Sequence, residues 1–148
     1  MGRARDPTID MANLQAAERS RETVAAHLEA LGSAGDCGAE LTDDVTLTIM
    51  ETGEVIHGRA AVAALLTYVH HSAFSAPPVV MTLVAGAERA MIEAEFIGRH
   101  TSEFAGIPPT DHRVHLPYVA AYDLDADTIR AMRLYFPMDR LVRQLRET

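Results

Sequence analysis

The chain has no lysine, a single cysteine and no apolar run long enough to span a membrane. Each absence removes a class of explanation. All of its 13 basic residues are arginines, which matches a bias in base composition. Arginine keeps its proton almost everywhere, so basic groups inside this protein are poor proton donors. Cys37 alone cannot form an internal disulfide or a cysteine-rich metal site, and it fits a reducing compartment. A membrane helix needs about 18 or more consecutive apolar residues, and none is present. Met1 to Asp10 lacks the apolar centre of a signal peptide. Asp6 stands where a myristoylation pattern needs Ser or Thr. These features predict a soluble, cytoplasmic protein without a membrane partner. The 21 acidic residues and net charge of −8 leave no basic face for phosphates, so a nucleic-acid partner is not expected.

What is present is a chain of 148 residues, 48% hydrophobic. That is enough for one domain with a buried core. Residues 1–10 are expected to be a loose segment before a single domain over 11–148. Met11, Leu14, Ala17, Val24, Leu28 and Leu31 recur at helical spacing after Asp10. Gly32 is a stop, and a break near Arg19–Ser20 is an alternative to one long helix. Leu41 to Met50 alternates as a strand, with Val45, Leu47 and Ile49 on one face. Thr52–Gly53 turns the chain into a short strand, Val55–His57. A second helix runs from Arg59 to about His71, and Pro77–Pro78 blocks any extension. Strands are predicted over Val79–Ala85, Ala90–His100, Val114–Leu124 and Ile129–Phe136, with a closing helix over Met138–Leu145. Phe104 to Asp111 is a loop. This order predicts an α+β fold in which helices cover one face of a curved antiparallel sheet. Crossover helices between the late strands are missing, which argues against a doubly wound sheet.

The chain carries no GxGxxG, P-loop or GxSxG motif. His70 and His71 are adjacent and do not share a helix face in the manner of a zincin pair. His112 and His115 are an odd number apart, which puts them on opposite faces of a strand. No metal site and no cofactor are expected. The densest chemistry lies at Glu93, Glu95, Arg99 and His100, then Asp111, His112 and His115. Glu93, Glu95 and Arg99 share one strand parity and read equally as a solvated face. His100 shares the other parity with Phe96, where it would be a polar group in a pocket. On the last strand, Arg133 and Tyr135 share a parity. They face either a pocket or an outer surface, and a buried Arg133 would need a partner such as Glu93 or Glu95.

The segment from Gly98 to Leu145 resembles the SnoaL-like polyketide cyclase family of the nuclear-transport-factor-2-like superfamily. FAGIPPT, Phe104 to Thr110, carries most of the likeness. Tyr135–Phe136 and Arg143–Gln144–Leu145 support it, and weaker agreement runs back through VIHGRAAVAALL to the first helix. The resemblance implies a cone: a curved sheet around one elongated apolar pocket, closed by helices and needing no metal. Family members close rings by aldol condensation. Relatives hydroxylate, isomerise, hydrolyse or only bind small molecules. Cyclases of the family carry an acid–base aspartate after the aromatic pair of the last strand. Pro137 occupies that place here, and Asp139 follows two residues later.

The resulting expectation is a small-molecule enzyme of secondary metabolism, of the kind found in antibiotic biosynthesis. It is a cyclase or isomerase, or a lyase of that type, acting on a carbonyl-bearing, polyketide-like intermediate. The alternatives are a hydroxylation component with a reductase partner and a non-catalytic binder of an apolar intermediate. Histidine suits a base near neutral pH, since its reference pKa is about 6.5. His100 is the first candidate, followed by His115 and Asp139. Tyr135 or Arg133 would stabilise an enolate oxygen. Asp139 reads equally as a cap of the last helix. Phe74, Phe96, Tyr118, Tyr122 and Phe136 are candidates to line the pocket around a hydrophobic substrate. A homodimer is expected, with Val114, Leu116, Met132 and Leu134 on its face if the other parity lines the pocket.

Overall fold

Burial alternates along most of the two longest strands, and this alternation sets the architecture. In β5 (Arg89–His100), Ala90, Ile92, Ala94 and Phe96 are buried while Met91 and Glu93 are exposed. In β6 (Arg113–Asp125), Val114, Leu116, Tyr118, Ala120, Tyr122 and Leu124 are buried. Side chains two residues apart share a sheet face, so each strand turns one apolar row inward. The two strands pair antiparallel from Arg89↔Asp123 to Arg99↔Arg113. Val114, Leu116 and Met132 are buried core residues and Leu134 packs against them, so this set does not form an outer face.

The computed structural model describes residues 7–33 and 35–147. Residues 1–6, part of the segment expected to be loose, lie outside the described residues. Helix α1 (Pro7–Gly32) starts earlier than Met11 and runs unbroken past Ser20. Proline suits its first turn, where the missing N–H has no helical partner anyway. Ser20, Val24, His27, Leu28 and Leu31 form its buried stripe, and α1 packs across the sheet at β4, β5 and β7. β1 (Leu41–Ile49) and β2 (Glu54–His57) form the first hairpin. Helix α2 (Arg59–Thr67) passes directly into a π-helical segment, Tyr68–Ala73. A two-residue strand, β3 (Phe74–Ser75), was not expected. β4 (Pro78–Gly86), β7 (Thr128–Tyr135) and α3 (Met138–Arg146) complete the chain. No described helix is long and apolar enough to cross a membrane.

The sheet order is β2-β1-β7-β6-β5, with β3 and β4 both pairing with β5. β4 pairs along the stretch of β5 from Arg89 to Phe96, and β3 takes Arg99 and His100. Ala76 and Pro77 separate these two partners. At Gly98 the backbone around Ser75 and Ala76 comes so close that a Cβ would collide with the Ser75 carbonyl oxygen. β1 runs parallel to β7, with Thr46 beside Ala131 and Ile49 beside Leu134. One parallel pair thus enters a sheet that is otherwise antiparallel. Register shifts interrupt β1/β7, β4/β5 and β6/β7. Such bulges bend strands and increase local twist, which suits a sheet that curls around α1, α2 and α3.

Candidate functional site

The curled sheet and the helices line a partly open cavity of about 270 Å3. The sheet contributes Ile49, Phe96, Ala120, Met132 and Leu134 to its wall. The helices contribute Leu31, Leu65, Leu66 and Leu141, and Val69 comes from the π-helical segment. Polar groups are few. They are His27 from α1, His70 from the π-helical segment, and Tyr118 and Tyr122 from β6.

His27 is 1% exposed, and neither ring nitrogen has a hydrogen-bond partner. Its ring meets the edge of Tyr122, with centroids 6.1 Å apart. Burial lowers its pKa to about 4, and nearby His70 pushes the same way. The imidazole is therefore neutral at physiological pH. His70 is also buried and held below the ordinary imidazole value, chiefly by desolvation. Its Nδ1 lies 2.8 Å from the Ala76 carbonyl oxygen. A carbonyl only accepts, so Nδ1 carries the proton and Nε2 of the neutral ring holds a lone pair. The π-helical segment makes this placement: His70 is buried and His71 is exposed. Burial pushes the Tyr118 phenol up to about 12 and raises Tyr122 further. Both remain protonated donors at neutral pH.

The aromatic residues expected around a pocket divide in a simple way. Phe96, Tyr118, Tyr122 and Phe136 reach the cavity wall. Phe74 sits behind them, edge-on to Phe96 at 5.2 Å and to Phe104 at 5.1 Å. The three expected acid–base residues, His100, His115 and Asp139, and the two expected enolate stabilisers, Arg133 and Tyr135, are not brought together. His100 has the inward parity but is 0% exposed beyond the end of the cavity. It is tilted against Phe74 at 5.3 Å. The Thr110 N–H donates to its Nδ1 at 3.1 Å, which occupies the nitrogen that would accept a proton. His115 faces outward, its Nε2 3.1 Å from Glu95, with a side chain 61% exposed. Asp139 is exposed in the first turn of α3. Pro137 is the N-cap of that helix, and no side chain caps it from there.

Arg133 and Tyr135 take the outward parity of β7. Arg133 pairs with Asp123 through two hydrogen bonds of 3.0 and 3.1 Å, so its partner is neither Glu93 nor Glu95. That contact holds the Asp123 carboxyl below the usual carboxylate range. Tyr135 is 46% exposed. It lines an open hollow of about 790 Å3 together with Glu93, Glu95, Pro137 and Arg140. The hollow is larger than the cavity and more open to solvent. The cavity is the better candidate site, because its apolar, more recessed wall gives positioned dipoles a lower local dielectric. Among the described residues, no cluster of three His, Cys, Asp or Glu side chains is placed to hold a metal ion.

His27 and His70 carry the polar chemistry of the cavity, and neither was a sequence candidate. A signal for His27 existed: it falls on the same helical stripe as Val24, Leu28 and Leu31. A polar ring in an apolar stripe is either a core group or a site group, and here both ring nitrogens are buried without a partner.

No family model and no curated protein sequence matches the chain. Solved structures do. A candidate SnoaL-like polyketide cyclase from Jannaschia sp. CCS1 superposes with a TM-score of 0.80 at 17% identity, covering 99% of both chains. A candidate polyketide cyclase from Pseudomonas putida KT2440 gives 0.69 at 25% identity, over 85% of this chain and 96% of that one. An epoxide hydrolase from Mycobacterium tuberculosis gives 0.69 at 18% identity, over 87% and 90%. The curved sheet, its single parallel pair and the enclosing helices thus form the fold of these solved structures.

Proposed function

We propose that the protein is a small-molecule enzyme that moves a proton within this cavity, as an isomerase or cyclase acting on a carbonyl compound. The observation that supports this most is the state of His70: neutral, tied at Nδ1 to Ala76, with Nε2 free to accept. A base must come within hydrogen-bond reach of the proton it takes. His70 is on the cavity wall, whereas His100, His115 and Asp139 are not.

Nε2 of His70 removes a proton from the carbon next to the carbonyl. The electron pair moves onto oxygen as an enolate, which the neutral phenols of Tyr118 and Tyr122 are suited to stabilise by donating hydrogen bonds. Return of the proton from His70 to a different carbon gives an isomer. Attack of the enolate carbon on a second carbonyl of the same molecule closes a ring, and His70 then protonates the new alkoxide. Neither route consumes an oxidant or a metal.

The similar structures named as cyclases and as an epoxide hydrolase support small-molecule chemistry in this fold. They do not select the reaction. Exposed Met81, Met91 and Tyr135 on the outer sheet side support a homodimer through that face, and buried Cys37 is compatible with a cytoplasmic setting. A non-catalytic binder is the second reading. It is favoured by Pro137 in place of the aspartate the resemblance implies and by the lack of any carboxylate on the cavity wall among the described residues.

The test is incubation with a panel of small ketones and diketones, followed by mass spectrometry, with and without oxygen and a reductase. An oxygen-independent product of unchanged or water-shifted mass supports the proposal. Retention of the ligand unchanged favours the binder. A product one oxygen heavier, formed only with oxygen, favours a hydroxylation component and counts against proton transfer.

A further inference from the structure

The orientation of His70 depends on one backbone carbonyl, and the place of that carbonyl depends on a missing side chain. Nδ1 of His70 donates to the Ala76 carbonyl, 2.8 Å away. Among the described residues, both His27 nitrogens and the His100 Nε2 are shielded without a partner, but the His70 Nε2 is not one of these atoms. It meets the cavity that His70 lines. Which nitrogen of a neutral imidazole carries the proton is set by the hydrogen bonds around the ring. A ring released from Ala76 would divide its proton between the two nitrogens, and a protonated Nε2 accepts nothing.

Ala76 is fully buried and follows β3, where the chain passes over β5. It passes at Gly98. Gly98 stands between Phe96, which pairs with β4, and Arg99, which pairs with β3. It shares the inward parity of Phe96 and His100, so a side chain there would enter the space that Ala76 fills. A Cβ on Gly98 would collide with the Ser75 carbonyl oxygen and stand 2.6 Å from the Ala76 Cβ and 2.8 Å from its Cα. Gly98 is not one of the glycines with positive φ, so its backbone suits any residue and the requirement is room alone. Pro77 disfavours the helical region for Ala76, so a displaced carbonyl cannot swing back by rotating ψ.

We infer that Gly98 is a positioning residue for His70: its missing side chain lets Ala76 lie over β5, where the Ala76 carbonyl holds the Nδ1 proton and leaves Nε2 free. Its place in catalysis rests on the reading of His70 as the base. Gly98 is not on the cavity wall, so it acts through Ala76 and His70.

The experiment reads the tautomer of His70 by NMR of the full chain labelled with 15N at histidine, in wild type, Gly98→Ala and Val114→Ala. Val114 is buried opposite Gly98 on β6 and is not on the cavity wall. Its truncation loosens the same part of the sheet without pushing on Ala76. Wild type and Val114→Ala should carry the proton on Nδ1. Gly98→Ala should show both tautomers, and its exchange of cyclohexanone α-protons in D2O should fall about tenfold at unchanged affinity for the ketone. Loss of stability alone would move Val114→Ala in the same way.

If Gly98→Ala does not fold, the double variant Gly98→Ala/Ala76→Gly, which conserves side-chain volume, takes its place and should also show both tautomers. Failure of the double variant to fold would assign Gly98 to the sheet alone and overturn the inference. A wild-type proton on Nε2, a folded Gly98→Ala protein with its proton on Nδ1 alone, or the same mixture in Val114→Ala also overturns it. Failure of the enzyme reading looks different: the tautomer moves with Gly98→Ala, while the wild-type protein exchanges no ketone protons. That result leaves Gly98 as the residue that sets the ring and removes His70 as the base.

Discussion

The Nδ1 of His70 and the carbonyl oxygen of Ala76 lie 2.8 Å apart, and this one contact fixes which nitrogen of the ring is free. It joins the π-helical segment to the residue just after β3. The Ala76 N–H returns a hydrogen bond to the His70 carbonyl at 3.2 Å. The two residues thus close a small ring of backbone and side-chain bonds that sets the orientation of the imidazole.

Acid should destabilise the fold through the buried histidines. The pKa of His27 falls from 6.5 in its ordinary state to about 4 when folded, so below 6.5 the unfolded chain binds the proton more readily. Above that value neither state is protonated and the full stability is present. As pH falls from about 6.5 to about 4, stability falls by up to about 3 kcal/mol from this group, and His70 acts in the same direction. Urea unfolding at pH 7.5 and 4.5 measures the loss. His27→Phe, where it folds, should flatten the pH dependence over this window, and an unchanged slope would contradict the assignment.

Gly98→Ala should loosen the edge of the sheet that carries β3. The added methyl group would collide with the Ser75 carbonyl and sit 2.6 Å from the Ala76 Cβ. Both neighbours are held in place by β3–β5 pairing and the His70–Ala76 bonds. Overpacking of this kind costs about 1–3 kcal/mol, more when backbone must move. Denaturant midpoints report the cost. A variant as stable as the parent would show that the close approach is not maintained in solution.

The last helix tests whether Asp139 does more than sit in a favourable field. The Met138 N–H donates to Glu51 Oε2 at 3.1 Å, so a residue from the β1–β2 turn serves as a distant cap of α3. Glu51→Ala should cost about 1 kcal/mol. Asp139→Ala should cost less, a few tenths to about 1 kcal/mol from the helix dipole, and the effect should fade in high salt. Asp139→Asn should leave turnover unchanged. Thermal melts and product assays on the three variants check the order. A folded Asp139→Asn variant without activity would return the acid–base role to that residue.

Most of the secondary structure was legible because burial here follows the local periods. β5 and β6 alternate as their sequences do, and the stripe of α1 follows Val24, Leu28 and Leu31. Pairing was less legible. The parallel contact of β1 with β7 joins Ile49 to Leu134, and nothing in either strand's local pattern names that partner. β3 was invisible because a two-residue strand has no period.

His100 lies on the inward sheet face but outside the cavity wall. His100 shares the inward parity of Phe96, as its spacing indicates. Strand spacing does not say where a cavity ends, and Phe74 and Thr110 close around His100 before the cavity reaches it. His70 was passed over because adjacent histidines make no metal motif, although a lone buried base needs no second histidine.

The most direct measurement is exchange of the α-protons of cyclohexanone in D2O, followed by NMR, with wild type, His70→Asn and His100→Gln. Asparagine at position 70 can keep a donor toward Ala76 while removing the lone pair at Nε2. The account predicts accelerated exchange with wild type and with folded His100→Gln, and a loss of about a hundredfold or more with His70→Asn. Exchange at the wild-type rate in a folded His70→Asn protein that still binds the ketone would contradict it.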